Sequence, residues 1–81
     1  HIMTAIEKLR ALREDNDLTQ QYVADYLGTS QTMYARYERG ANEIPVRHLK
    51  SLCLLYNISA DFILDTVPDK KREPGKIKKR H

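Results

Sequence analysis

The sequence predicts an all-α domain, and three observations support this fold class. Apolar residues recur at spacings of three and four in five successive blocks between Thr4 and Asp65, which is the period of amphipathic helices. Residues that favour helix ends, such as Thr19 and Gly28, separate these blocks. No segment alternates apolar and polar residues over the length of a strand. With 81 residues, the chain has the length of one small domain.

The first two helices are predicted from their apolar faces and their end signals. The first covers about residues 4–14, and Thr19 is a good N-cap for the second. Gly28 ends the second helix, because glycine readily adopts the left-handed conformation that follows a helix. The two inner faces consist of Ala5, Ile6, Leu9 and Leu12, and of Val23, Ala24 and Leu27.

Three further helices follow at short intervals. Ser30 caps the third, which runs to Gly40, and Pro45 suits the first turn of the fourth, where its missing N–H costs nothing. Asn57 turns the chain, and Ser59 caps a short fifth helix over Ala60–Leu64. The inner face of the fourth helix consists of Leu49, Leu52, Cys53 and Tyr56.

The positive charge is confined to one end of the chain. The formal net charge is +3, but residues 1–68 carry seven basic and nine acidic groups, and the whole excess lies in residues 69–81. We therefore predict a folded domain over residues 4–66 and a flexible basic tail over residues 67–81, because so polar a segment buries little apolar surface. Both solubility and a contact with nucleic acid remain open as roles for the tail.

Several functional classes are excluded. No apolar run is long enough to span a membrane and no export signal is present, so we expect a cytoplasmic protein. Cys53, the only cysteine, permits neither an internal disulfide nor a multi-cysteine metal site. His48 and Cys53 lie five residues apart on a helix and point in different directions, so they form no catalytic dyad or metal pair. Three scattered glycines build no phosphate-binding loop. We expect no enzyme, no metal and no cofactor.

Residues 20–40 show the features of a helix-turn-helix. Two helices of about eight to ten residues are joined by the turn Leu27-Gly28-Thr29-Ser30, which is too short to lay them side by side. Ala24, four residues before the glycine, allows the helices to cross closely. A generic helical hairpin explains any one of these residues but explains the whole set poorly. In a helix-turn-helix the second helix enters the major groove of DNA.

A family resemblance follows from these residues. Leu18-Thr19-Gln20, Val23-Ala24, Leu27-Gly28, Ser30 and Tyr37-Glu38-Arg39-Gly40 resemble the helix-turn-helix of the Cro and lambda-repressor type, the XRE family. The resemblance implies a compact, lambda-repressor-like domain of five helices with the helix-turn-helix in helices 2 and 3. It also implies sequence-specific binding of double-stranded DNA, often by a repressor that binds an inverted-repeat site as a homodimer.

Three residues of the recognition helix, residues 30–39, are candidates for reading bases. Gln31 lies where relatives of this family read bases, and glutamine bonds adenine through two groups at once. Thr32 suits a base edge or a thymine methyl group. Arg36 follows Gln31 by five residues and suits a guanine or a phosphate, although a solvated surface charge explains it too.

Four residues are candidates for phosphate contacts. Gln20 matches the family's glutamine that bonds a phosphate and braces the recognition helix, and Ser30 opens that helix. Arg39 and Asn42 flank Gly40 and are placed to contact the DNA backbone on the other side. The loop after Gly40 departs from many relatives, because it has no Lys or Arg and Glu43 would repel a phosphate.

The resemblance assigns structural roles to further residues. It suggests that Arg13 and Glu38 form an ion pair that ties the first helix to the recognition helix. The helical spacing of Tyr34 and Tyr37 already places both on the face that fills the angle between the two helices, and the family has packing residues at these positions. We expect each hydroxyl to reach the surface.

The sequence leaves two questions open. The folded part is acidic, so a protein-interaction module, such as an antitoxin or an adaptor bound to a partner protein, is the alternative function. A second apolar set either completes the core or supplies a face for self-association: Leu54, Leu55, Ile63 and Val67.

Overall fold

Residues 3–64 form five α-helices in the computed structural model, which describes that part of the chain. The predicted all-α class and the number of helices are confirmed for these residues. The tail predicted for residues 67–81 and the end of the domain at residue 66 lie outside the described residues and stay predictions. The helices are α1 (Ala5–Asp15), α2 (Gln20–Leu27), α3 (Gln31–Glu38), α4 (Val46–Tyr56) and α5 (Ala60–Leu64).

Side-chain caps fix where the first three helices begin. Thr4 accepts a hydrogen bond from the backbone N–H of Glu7, and the Glu7 carboxylate accepts one from the backbone N–H of Thr4, which together form a capping box. Thr19 and Ser30 cap α2 and α3 in the predicted way. Pro45 is a correction: it precedes α4 as its N-cap residue in an extended conformation. Its fixed φ is compatible with this position as well as with the first turn.

The turn between α2 and α3 depends on a left-handed residue. Gly28 has a φ of 77° and ends α2, and the backbone N–H of Thr29 bonds the carbonyl of Ala24 at 2.9 Å. A residue with a Cβ is strained in this conformation. Two residues after Gly28, Ser30 is the N-cap of α3, which begins at Gln31. The sharp change of direction required for a helix-turn-helix is thus built into the backbone.

The core lies where α1, α2, α3, α4 and α5 meet. Val23 and Ala24 of α2 are fully buried, and Tyr34 is 1% exposed, so the small alanine lets α3 pack directly against α2. Ile63 belongs to the core and the partly buried Leu55 packs against it, whereas Leu54 is 78% exposed. A role of Leu54 in self-association stays a prediction. Val67 lies outside the described residues. The buried apolar residues are Leu9, Val23, Ala24, Tyr34, Tyr37, Leu52 and Ile63.

Candidate nucleic-acid interface

One face of α3 is polar and open to solvent. Tyr34 and Tyr37 turn inward, and Thr32, Arg36 and Arg39 are exposed on the other side of the helix axis. Their spacings of three and four residues place these three side chains on one stripe. Neither guanidinium on the stripe forms an ion pair with another residue in the range 3–64. The helix therefore presents hydrogen-bonding and cationic groups away from the core.

Gln31 lies at the edge of this stripe and is held by α2. Its Nε2 donates to Oε1 of Gln20 at 2.7 Å, and Nε2 of Gln20 donates to Oε1 of Glu38 at 3.0 Å. Both glutamines are half-buried. This chain of amides, which we call the glutamine relay, orients the side chain at the start of α3 from the first residue of α2. Sequence reasoning assigned Gln20 and Gln31 separately and missed their mutual bond.

Glu38 is the anchor of the glutamine relay. Its Oε2 accepts from Arg13 Nε at 2.7 Å and from the Tyr34 hydroxyl at 2.6 Å. Its Oε1 accepts from a second Arg13 nitrogen at 3.1 Å, in addition to Gln20. Burial of the carboxyl raises its pKa, but the hydrogen bonds from these three residues outweigh burial and leave the pKa of Glu38 below its ordinary value.

Arg13 connects α1 to this cluster. Its side chain is 12% exposed and that of Glu38 5%, and the two form a bidentate ion pair. The hydrogen bond to Glu38 raises the pKa of Arg13 despite the effect of its burial. Another guanidinium nitrogen donates to the carbonyl of Leu18, just before α2. Arg13 thus joins α1, the start of α2 and the end of α3.

Tyr34 differs from the expectation for its hydroxyl. The hydroxyl is bonded to Glu38 inside the domain and does not reach the surface. Helical periodicity predicted the inward face correctly but not the partner, which lies four residues later on the same helix. That i, i+4 spacing was the available signal. Burial of the phenol, the larger cause, and its hydrogen bond to Glu38, the smaller one, raise the pKa of Tyr34 far above its usual range.

The candidates after α3 form a separate cluster. Arg36 Nε donates to Oδ1 of Asn42 at 2.8 Å, and the backbone N–H of Ala41 bonds the carbonyl of Arg36. One predicted base-reading residue is thus paired with one predicted phosphate contact. Arg39 is the exposed C-cap residue of α3, and Glu43 in the following loop is also exposed.

Ser30 is engaged with its own helix. Its hydroxyl oxygen accepts from the backbone N–H of Met33 at 3.1 Å, as an N-cap. Within residues 3–64, no group of three or more His, Cys, Asp or Glu side chains is placed to hold a metal ion. Over the same range, none of the helices is both long and apolar enough to cross a membrane.

The fold and this site define a class of protein domain. A short helix, a left-handed glycine turn and a second helix with an exposed polar stripe form a helix-turn-helix within a five-helix domain. A family described as "Helix-turn-helix" matches residues 9–63, and the chain belongs to that family.

Known proteins are similar to this chain in sequence and in fold. The uncharacterized HTH-type transcriptional regulators YobD and YqaE of Bacillus subtilis (strain 168) are 34% and 32% identical, over 89% and 90% of this chain. The chain spans 66% and 63% of their lengths, less than two thirds of each. A crystal structure of the P22 c2 repressor protein, in complex with synthetic operator 9T in the presence of Tl+, has the same fold. The two structures superpose with a TM-score of 0.71 at 23% sequence identity, and the match covers 80% of this chain and 98% of the repressor chain.

Proposed function

We propose that this chain binds double-stranded DNA sequence-specifically and acts as the DNA-binding part of a transcriptional regulator. The observation that carries the proposal is the exposed polar stripe of α3 beside the oriented Gln31. An α-helix fits the major groove, where each base pair presents a distinct pattern of donors and acceptors. The relatives named as transcriptional regulators support this function over a protein-interaction module. The activity requires the compartment that holds the DNA, in agreement with the predicted cytoplasmic location.

The hydrogen bonds of Gln31 leave the groups that adenine needs. One of the two Nε2 hydrogens is donated to Gln20, so one hydrogen and Oε1 remain for a base. Adenine offers N7 as an acceptor and its N6 amino group as a donor, which match this pair. Gln20 likewise donates one hydrogen to Glu38 and keeps the other for a phosphate. We therefore assign adenine to Gln31 and a backbone contact to Gln20.

Thr32, Arg36 and Arg39 extend the interface along the exposed stripe. In this proposal Arg36 leaves Asn42 on binding and reaches a guanine or a phosphate, and Asn42 is released for the DNA backbone. Arg39 and the N-terminus of α3 at Ser30 supply further phosphate contacts. The described residues need no metal, cofactor or catalytic group for this function.

A homodimer on an inverted repeat is the assembly that we propose for DNA binding. One domain of this size makes a small contact, and two copies on related half-sites add area and a spacing requirement. The P22 c2 repressor, whose fold this chain shares, is described with a synthetic operator, which supports repression as the regulatory outcome.

The test is selection of bound sequences from a random DNA pool, followed by affinity measurements on single-base variants of the winner. Gln31→Ala should reduce the preference for adenine at one position of each half-site by about tenfold or more. Gln21→Ala is the matched control, because that glutamine is exposed on α2 and bonds only Asp25 nearby. Equal base preferences in the two variants would refute the assignment of Gln31.

A further inference from the structure

The hydroxyl of Tyr34 is placed where packing alone does not require it. The side chain is 1% exposed at the centre of α3, where phenylalanine would fill nearly the same volume. Its hydroxyl approaches Oε2 of Glu38 at 2.6 Å, the length of a charge-assisted bond. Burying a phenol without such a bond is unfavourable. The bond to Glu38 is therefore the property that distinguishes Tyr34 from an apolar residue.

A second buried phenol shows that proximity to this cluster does not guarantee a bond. The Tyr56 hydroxyl of α4 is shielded from solvent and has no hydrogen-bond partner among the described residues. Burial raises the pKa of Tyr56, and the nearby charge of the Glu38 carboxylate raises it further by a smaller amount. The four hydrogen bonds that Glu38 accepts come from three side chains, and Tyr56 is not one of them.

The four donors fix the rotation of the Glu38 carboxylate. Each oxygen accepts two hydrogen bonds, and Tyr34 supplies one of the two on Oε2. The terminal torsion of glutamate has a broad energy minimum, so the plane of the carboxylate is set by its partners. When the Tyr34 bond is removed, the carboxylate gains freedom to rotate. Rotation moves Oε1, which is the atom that holds Gln20 in the glutamine relay.

We propose that Tyr34 is a positioning residue for base readout: its hydroxyl holds the Glu38 carboxylate in the orientation that directs Gln20, and through Gln20 directs Gln31. The expected effect on base preference rests on the proposed DNA-binding function. The positioning of Gln20 and Gln31 by Tyr34 is a property of the free protein. It makes a core tyrosine that touches no DNA a determinant of specificity.

The test compares Tyr34→Phe with Tyr37→Phe, a buried tyrosine on the same helix whose hydroxyl makes none of the cluster's bonds. In the free protein, NMR should show shifted side-chain NH₂ resonances for Gln20 and Gln31 and a raised Glu38 pKa in Tyr34→Phe only. With DNA, Tyr34→Phe should lower the preference for the base read by Gln31 by about fivefold, the net effect of one hydrogen bond. The overall circular dichroism spectrum should be unchanged.

The two halves of the proposal fail in distinguishable ways. Unchanged glutamine resonances and an unchanged Glu38 titration in Tyr34→Phe would overturn the positioning role, whatever the DNA result. A wild-type protein without any base preference would refute the proposed function, and the NMR comparison would still decide the role of Tyr34. In the wild type, the Tyr34 hydroxyl proton should be protected from exchange and should follow the Glu38 titration. Rapid exchange of that proton would overturn the proposal without any variant.

Discussion

Removal of the Glu38 carboxylate should destabilise the domain far more than removal of an exposed carboxylate on α1. Glu38→Ala leaves the Arg13 guanidinium, only 12% exposed, without its counter-charge, and leaves the Tyr34 hydroxyl and the Gln20 amide without an acceptor. Breaking a buried pair by removing one partner costs about 3–5 kcal/mol. Natural domains are stable by only about 5–15 kcal/mol, so this loss is a large part of the total.

The assay is urea and thermal unfolding followed by circular dichroism. For a domain of this size, a loss of about 3–5 kcal/mol corresponds to a fall in melting temperature of at least roughly 12 °C. The control is Glu14→Ala, which breaks the Arg10–Glu14 pair on α1, whose side chains are 61% and 54% exposed, and a longer contact of 3.9 Å between Glu14 and Arg13, and leaves the Arg13–Glu38 pair in place. Such a helical surface pair contributes about 0.3–0.5 kcal/mol.

A double-mutant cycle separates the pair from the other bonds. Replacing both Arg13 and Glu38 with methionine should restore much of the stability that either single change removes, because no buried charge is then left unpaired. Equal unfolding free energies for Glu38→Ala and Glu14→Ala would show that the buried carboxylate contributes no more than an exposed one. A coupling energy below about 0.5 kcal/mol between the two members of the pair would show that the ion pair contributes no more than a surface pair.

Four further predictions follow from single groups. Tyr56→Phe should stabilise the domain by about 1–2 kcal/mol in urea unfolding, because it removes a buried hydroxyl that has no hydrogen-bond partner within residues 3–64; destabilisation would contradict this. Folding lowers the pKa of Glu38, so the contribution of its carboxylate to stability is fully present above the ordinary pKa of 4.5 and is lost as the pH decreases through the folded pKa. Glu38→Gln should flatten this dependence of the unfolding free energy on pH. Burial, with a smaller effect of Arg47, lowers the pKa of His48, so stability should fall as pH decreases below about 6.5, a slope that His48→Gln should abolish. Gly28→Ala should destabilise the domain by about 1 kcal/mol or more, because a residue with a Cβ is strained at a φ of 77° even though no atom lies within 4 Å of the added Cβ. The urea midpoint should decrease, and an unchanged midpoint would refute the role of the turn.

The helices and the turn were predictable because their signals are local. Thr19 and Ser30 cap the helices as predicted, and Gly28 adopts the left-handed conformation that its position indicated. Hydrophobic periodicity also identified the inward faces of α2 and α3, since spacing alone decides which side chains share a face. Such information needs no knowledge of how distant segments meet.

The polar contacts of the site were less predictable because they depend on tertiary placement. Spacing places Gln20 and Gln31 on separate helices, and only the angle set by Gly28 brings the two amides to 2.7 Å. The bond between Arg36 and Asn42 depends on how the chain leaves α3, which no periodicity specifies. Likewise, the burial of Ile63 and the exposure of Leu54 depend on which faces of α5 and α4 meet the core.

Adenine readout by Gln31 is tested most directly by selection of DNA sequences from a random pool by the wild-type protein and by Gln31→Ala in parallel. We expect the wild type to enrich an inverted repeat with an adenine at one position of each half-site. The Gln31→Ala variant, folded to the same extent, should lose the preference at that position and keep it at others. Enrichment of the same adenine by both proteins would refute readout by Gln31, and the absence of any enriched sequence would refute sequence-specific binding.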